Sequence, residues 1–344
     1  MKSITIGLDI AKSVFQVHAE DRAGKIVFQK RLARGQVEAF FSKLPPARIG
    51  MEACGTAHYW GRVLRELGHE LVLIPAAYVK AFVKRNKTDA RDAAAICAAM
   101  GRPDMRFVAI KSPQQQASRS LERSRELLVK QHTQLLNSVR GQLAEFGIVA
   151  AQGRKGFAEL KAQVLSEAPG LPGVLLAALR TLLSQIEPLA AAIAKLEGAI
   201  VAAAKADPAV RRLCTIPGVG ALTAHAVVAA IGDGRQFRSA RDFAAWAGLT
   251  PQEHSSGGKR HQKGISRQGE SRLRKLFALG ASTVMRNARA WQDRSTAWQR
   301  GILARRPMKV AVLAQAAKTA RIAWAVLTSG EAYRRPVAGA GQAA

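Results

Sequence analysis

The amino-acid sequence predicts a mixed α/β domain at the N-terminus, a helical middle region and a mainly α C-terminal domain. Three observations carry this expectation. Over the first hundred residues, short β-branched and aromatic runs alternate with helical patterns. From about residue 114 a long stretch lacks glycine and proline until Gly141. From about residue 208, helical segments are separated by glycine-bearing turns.

Taken in order, "SITIGLDI" (3–10), "SVFQVHAE" (13–20) and "KIVFQKRL" (25–32) read as three strands with short breaks, an antiparallel meander. "GQVEAFFSKL" reads as a short helix and "RIGMEA" as a buried strand. "HYWGRVLRELG" is a helix ended by Gly68, and "HELVLIP" another strand. "KTDARDAAAICAAM" is a helix with Thr88 as its N-cap. After the long stretch from 114, a glycine- and proline-bearing break includes "APGLPG". Leu179, Leu182, Ile186, Leu189, Ile193, Leu196 and Ile200 then recur at spacings of three and four. That seam fits an intramolecular helical hairpin or an intersubunit coiled coil. Pro188 lies within it and predicts a kink or a restart. "RRLCTIPGVGALTAHAVVAAIGD" reads as helix, tight hairpin, helix. "SARDFAAWAGLTP", a basic loop and two further helical stretches follow.

The chain has 344 residues, with 53 basic against 24 acidic side chains and a formal charge of +29. Such an excess points to a polyanionic partner, nucleic acid before anionic membrane. Cys54, Cys97 and Cys214 form no CxxC pair, so neither a zinc ribbon nor a disulfide framework is suggested. Asp9 interrupts any signal-peptide core. No run of about 18 apolar residues stands out, so no membrane span and a cytoplasmic protein are expected.

Four carboxylates form the first constellation. Asp9 closes the strand "ITIGLDIAK" and Glu52 closes "RIGMEACG". Asp89 and Asp92, three apart, share a helix face. Brought together they would repel one another without a divalent cation. Oxygen ligands suit Mg²⁺, with Mn²⁺ as the substitute, and such ions stabilise phosphoryl displacement. The plainer alternative has Asp9 as a turn residue and the helix pair favouring the dipole.

The second constellation is "IPGVG" (216–220), where Gly218 and Gly220 would let backbone N–H groups converge on a phosphate. A plain αα-turn is the alternative. The third is "TPQEHSSGGKRHQKGISRQGESRLRK" (250–275). Lys259, Arg260, Lys263, Arg267, Arg272, Arg274 and Lys275 face a single acid, Glu270, from 259 to 275. "HSSGGKRHQKG" has no hydrophobic period and reads as a loop. Phosphate contact is the functional reading and a solvated loop the bland one. Ser255 or Ser256 could act as a nucleophile only with a base, a metal or nearby cations. His254 is read as structural.

In order along the chain, "GLDIAKSVF", "MEACG", "NKTDARDAAAI", "TIPGVGALTA", "FRSARDFAAWAGLTP", "HSSGGKRHQKGISRQGESRLRK" and "ARIAWAVLTSGEAY" resemble the DEDD transposases of insertion sequences. These are relatives of the Piv/MooV DNA invertases and include bridge-RNA-guided recombinases. The resemblance covers about residues 3 to 333. It implies a RuvC-like, ribonuclease-H-type domain at 1–110, a helical coiled-coil region at 111–206 and a C-terminal transposase domain with a helix-hairpin-helix element at 207–333. A disordered tail would follow at 334–344. It implies that Asp9, Glu52, Asp89 and Asp92 bind Mg²⁺. Ser256, directly before Gly257, would be the nucleophile that forms a phosphoserine link to DNA, with Ser255 the alternative. DNA, a structured guide RNA and a homo-oligomer, dimer or tetramer, are the implied partners. "VLIPAAYVKAF" departs from the family pattern by lacking an asparagine before its proline. Two rival readings are a junction-resolving endonuclease that uses water and a non-enzymatic architectural protein.

Overall fold

The structure is a computed structural model, and it describes residues 4–82, 89–166, 170–259, 261–290 and 295–334. The chain forms two compact units, Met1–Gln116 and Ala117–Ala344.

The first unit is a five-stranded sheet with helices. Its elements are β1 (Thr5–Ile10), β2 (Val14–Glu20), β3 (Ile26–Ala33), α1 (Val37–Phe41), β4 (Arg48–Glu52), α2 (Ala57–Glu66), β5 (Glu70–Ile74), α3 (Ala76–Lys80) and α4 (Asp89–Met100). The strand order is β3-β2-β1-β4-β5. The first three strands form the expected antiparallel meander. β4 and β5 join in parallel, which requires the helical crossovers that the sequence supplies. This mixed α/β sheet is compatible with a ribonuclease-H-like DEDD fold.

Strand alternation decides which helices cover which face. Ile6 and Leu8 on β1, Phe15 and Val17 on β2, and Ile49 and Met51 on β4 bury one face against Phe41 of α1 and Trp60 and Leu64 of α2. Val72 and Ile74 of β5 point the other way and pack with Ile96 and Met100 of α4. On that second face Gly7 and Gly50 matter. A Cβ on Gly7 would collide with the Ala93 carbonyl and lie 2.9 Å from the Cys97 nitrogen. One on Gly50 would run into the Met100 side chain. Two glycines therefore let α4 sit close on β1 and β4. Helix α3 carried too little periodicity over five residues to be foreseen. The Thr88 cap lies outside the described residues.

The second unit is helical, with one small hairpin. It comprises most of α5 (Pro113–Ala144), then α6 (Arg154–Leu165), α7 (Gly173–Ala206), α8 (Pro208–Leu213), α9 (Ala221–Ile231), α10 (Ala240–Trp246), β6 (Pro251–Glu253), β7 (Gln262–Ile265), α11 (Ser271–Ala290), α12 (Ala297–Arg305) and α13 (Met308–Ser329). Leu179 and Leu183 of α7 bury against Val139 and Leu143 of α5 and Leu160 and Val164 of α6. Arg125 pairs with Glu197 further along the same two helices. The seam is thus used within the chain over these contacts, while Leu189, Ile193 and Leu196 stay half-buried.

Four expectations need correction. Of the kink or restart expected at Pro188, the restart does not occur, and α7 runs through that residue. Both Pro188 and Ser184, whose carbonyl loses its donor, are exposed, so water can take that carbonyl. The break after α5 contains a helix, α6, whose apolar Phe157, Leu160 and Val164 fall at spacings of three and four. The stretch read as a basic loop is the end of a two-stranded ribbon, β6–β7. Finally, α13 is long and apolar enough, by length and composition, to cross a membrane. Its Ala316, Ala320 and Ala323 are fully buried in the core beside Phe243, Leu273 and Phe277. The expected disordered tail lies outside the described residues from 335 onward.

Candidate active site

The carboxylates come from opposite sides of a helix–sheet contact. Asp9 follows Gly7 by two residues on β1, and Glu52 follows Gly50 by two on β4. Period-two alternation turns all four toward α4. The first turn of α4 supplies Asp89 and Asp92. Asp9, Asp89 and Asp92 can each offer an oxygen within 4.8 Å of the other two. Asp92 is buried and Asp89 exposed, with Asp9 between them. Glu52 stands at the end of the neighbouring parallel strand and lies outside this mutual group.

Burial raises the Asp9 carboxyl to about 6, helped by the charges of Asp92, Asp89 and Glu52. Burial and the charges of Glu52 and Asp9 likewise raise the Cys54 thiol. Both shifts report crowded negative charge at the ends of β1 and β4. Three convergent hard oxygen donors fit a divalent cation, and Asp9, Asp89 and Asp92 would hold it. The sequence missed the part played by Gly7 and Gly50. The spacing glycine-x-carboxylate, repeated on two strands, was the signal for it.

Ser256 occupies the tip of the β6–β7 ribbon. The Lys259 N–H donates to the Ser256 carbonyl over 3.1 Å, and these two residues form a β-bridge. Gly257 and Gly258 between them have φ of 55° and 75°. Two positive φ values in a row define the I′ class of hairpin turn, which L side chains resist. Gly257 and Gly258 are what closes the ribbon. Ser255 is held differently. Its hydroxyl donates to Glu253 Oε1 over 2.9 Å and accepts from the His261 N–H at 3.3 Å. Among the described residues the Ser256 hydroxyl makes no hydrogen bond and is exposed. Glu253 and His261 escaped the sequence reading. Glu253 lies two residues before Ser255 on an extended segment, and this spacing was its only trace. His254 donates its backbone N–H to the His261 carbonyl over 2.9 Å, a ribbon contact.

The basic residues divide into two groups. Lys259, Lys263, Arg267 and Lys275 are exposed. Arg260 lies outside the described residues. Arg274 donates to the carbonyls of Ala247 at 3.0 Å and Gln268 at 3.1 Å. Arg272 lies 3.2 Å from the carboxylate of Glu122, which is fully buried. The other oxygen of Glu122 accepts from Nδ1 of buried His225 over 2.7 Å. Burial lowers the Arg272 guanidinium, opposed by Glu122 and Glu126. Arg272 and Arg274 therefore serve the fold as they stand. In "IPGVG", Gly218 has φ of 82° and its carbonyl abuts Gly280 of α11. Gly220 has open space where a Cβ would go and caps α9. Helices α8 and α9 are joined by a turn, and Gly218 is explained by close packing.

Comparisons with known proteins show the family. Residues 6–148 match the DEDD-type IS110 family profile, described as "Transposase". Residues 210–296 match "Transposase IS116/IS110/IS902 family". The chain is 46% identical to a "Probable family 20 transposase" of Pseudomonas aeruginosa, over 96% of this chain and 98% of that protein. It is 40% identical to the "Transposase for insertion sequence element IS1111A" of Coxiella burnetii, over 97% of this chain and 92% of that one. A shorter likeness, 42% over 73 residues, links it to the "Pilin gene-inverting protein" of Moraxella bovis, covering 21% of this chain and 23% of that protein. With a carboxylate cluster on a mixed sheet, a helical C-terminal unit and relatives matched along nearly its whole length, the chain belongs to the IS110/IS116 family of insertion-sequence transposases, enzymes that act on DNA.

Proposed function

We propose that this transposase cuts and rejoins DNA through Ser256, forming a phosphoserine link to the strand it breaks. The observation that carries this is the hairpin tip, where two left-handed glycines present an exposed hydroxyl that makes no hydrogen bond among the described residues. A Mg²⁺ ion held by Asp9, Asp89 and Asp92, with Glu52 beside them, would supply Lewis-acid stabilisation of the phosphodiester, and Mn²⁺ would substitute. Ser256 attacks phosphorus, its proton leaves to solvent or a nearby base, and the departing sugar oxygen is expelled. Exposed Lys259, Lys263, Arg267 and Lys275 hold the backbone and offset charge on the phosphoryl group. Ser255, tied to Glu253, fixes the ribbon behind the nucleophile.

The first unit is proposed as a RuvC-like ribonuclease-H-type domain, residues 1–110. Residues 111–206 would be the pairing region and 207–333 the transposase domain, with α8–turn–α9 as a helix-hairpin-helix grip. The protein would act as a homo-oligomer, dimer or tetramer, one copy's carboxylates serving another copy's serine. A structured RNA of the element would choose the sites, a reading supported by the +29 charge.

The test uses labelled DNA carrying the element's ends, with covalent adducts read on a denaturing gel. Wild type and Ser255→Ala form the adduct and Ser256→Ala does not. An adduct that persists in Ser256→Ala and vanishes in Ser255→Ala moves the nucleophile by one residue. Cleavage by wild type to free 5′-phosphate ends without any adduct makes the protein a water-using nuclease. RNA recovered with the protein expressed beside its flanking element tests the guide.

A further inference from the structure

A cavity of about 660 Å³ opens beside the acidic cluster, between the β1–β2 turn and the start of α2. Ile10, Lys12, Arg34 and Cys54 are among the residues that line it. Ile10 follows Asp9 directly on β1, and Cys54 comes two residues after Glu52 at the end of β4. The cavity therefore adjoins the carboxylates. Its own lining carries the opposite charge, with two cations and no acid.

The cations are placed differently. Arg34 lies over the Trp60 ring at 5.3 Å and the Phe15 ring at 5.8 Å. It also reaches the Lys12 carbonyl at 3.4 Å, which leaves most of its five donors for a ligand. Contact with two aromatic rings restrains the guanidinium before anything binds. Lys12 sits on the turn, exposed, and among the described residues its ammonium has no partner. An arginine held over two rings and an exposed lysine next to the carboxylate cluster suit a phosphate.

We infer that this cavity is a phosphate subsite, in which Lys12 and Arg34 hold a DNA phosphodiester next to the one that reacts at the carboxylates. The inference rests on the metal-site reading proposed above and adds the path of the strand. The backbone runs from the acidic cluster past Cys54 to the β1–β2 turn. Asp9, Asp89 and Asp92 would hold the cation that polarises the reacting phosphate, and the two basic side chains set its register by gripping its neighbour.

Full-length protein and a short fluorescein-labelled DNA duplex of the element's end, in Ca²⁺, provide the test. Lys12→Ala and Arg34→Lys should each weaken binding roughly fivefold to tenfold near 0.1 M salt, and Lys12→Ala should lower the salt slope by about one. Lys25→Ala, on the distant β2–β3 turn, should do neither. Arg34→Lys keeps the charge and tests the planar grip, while Lys12→Ala touches no packed group, so a folding defect in one leaves the other informative. Cys54 gives an independent reading. Bound DNA should slow its alkylation, followed site by site by mass spectrometry, while exposed Cys214 stays reactive. Unchanged affinity and slope in both variants, or Cys54 alkylated equally with and without DNA, overturns the subsite. Weakened binding of the matching RNA with DNA unaffected overturns it in favour of an RNA subsite. Mn²⁺ binding by electron paramagnetic resonance, compared with Asp9→Asn, tests the metal reading separately. Loss of that signal is expected in Asp9→Asn alone.

Discussion

The backbone carbonyl of Ala93 on α4 packs against Gly7 on β1 so closely that no side chain fits between them. This contact brings the first turn of α4 down to Asp9. Gly7→Ala should push the helix away from the sheet, costing about 1–3 kcal/mol as an overpacked site does. Urea unfolding measures the loss, and strand transfer should fall with it. Gly35→Ala, which meets open space, should leave both unchanged.

Asp9 gives a pH signature. Its carboxyl titrates near 6 in the folded metal-free protein against an ordinary value of 3.8. The folded state thus holds a proton that the unfolded state has released. The resulting stabilisation is fully present below about 4 and lost as pH rises through about 6. In EDTA, the Tm of wild type should therefore fall relative to Asp9→Asn between pH 4 and pH 7. Saturating Mg²⁺ at pH 7 should restore it, since a ligand bound only by the folded state raises stability. A wild-type Tm that tracks the variant at every pH sinks this account.

At the ribbon tip, Gly257 has φ of 55°, a conformation that costs an L residue about 1–2 kcal/mol. Gly257→Val should bend the turn and misplace Ser256. Adduct formation should drop at least about tenfold, the rate equivalent of 1.4 kcal/mol. Tm should scarcely move, because the tip is exposed and buries no core. A normal adduct rate would show that the turn does not position the serine.

Arginines of one sequence cluster should behave in opposite ways. Arg272→Ala strands the buried Glu122 with His225 alone and should destabilise the protein by about 2–4 kcal/mol, near the cost of breaking a buried pair. Lys263→Ala and Lys275→Ala should leave the urea midpoint alone and each reduce the salt slope of DNA binding by about one. If Arg272→Ala keeps full stability and loses only DNA affinity, that residue belongs to the interface.

Much of this was legible in the chain. The meander, the parallel strands and most long helices follow from period-two and period-three-to-four patterns, which each segment carries locally. Helix α6 was legible in the same way, through Phe157, Leu160 and Val164, but the neighbouring glycines and prolines masked it. The ribbon was harder. Its strands are short, polar and without a buried face, so no hydrophobic alternation marks them, and only Gly257–Gly258 betrayed the turn.

By itself the sequence determined the family, the order of elements, the basic charge and the four carboxylates and two serines worth weighing. Those are properties of residue type and short-range spacing. Tertiary structure decided the rest. It brought Asp9, Asp89 and Asp92 within reach of one another, set Glu52 to one side, bonded Ser255 while leaving Ser256 exposed at the ribbon tip, and buried Arg272 against Glu122. Each of these outcomes depends on how far α4 can approach β1, or on which distant acid a given arginine meets. Such distances arise when separated segments compete for the same space and the same partners, and no local pattern in the chain records them.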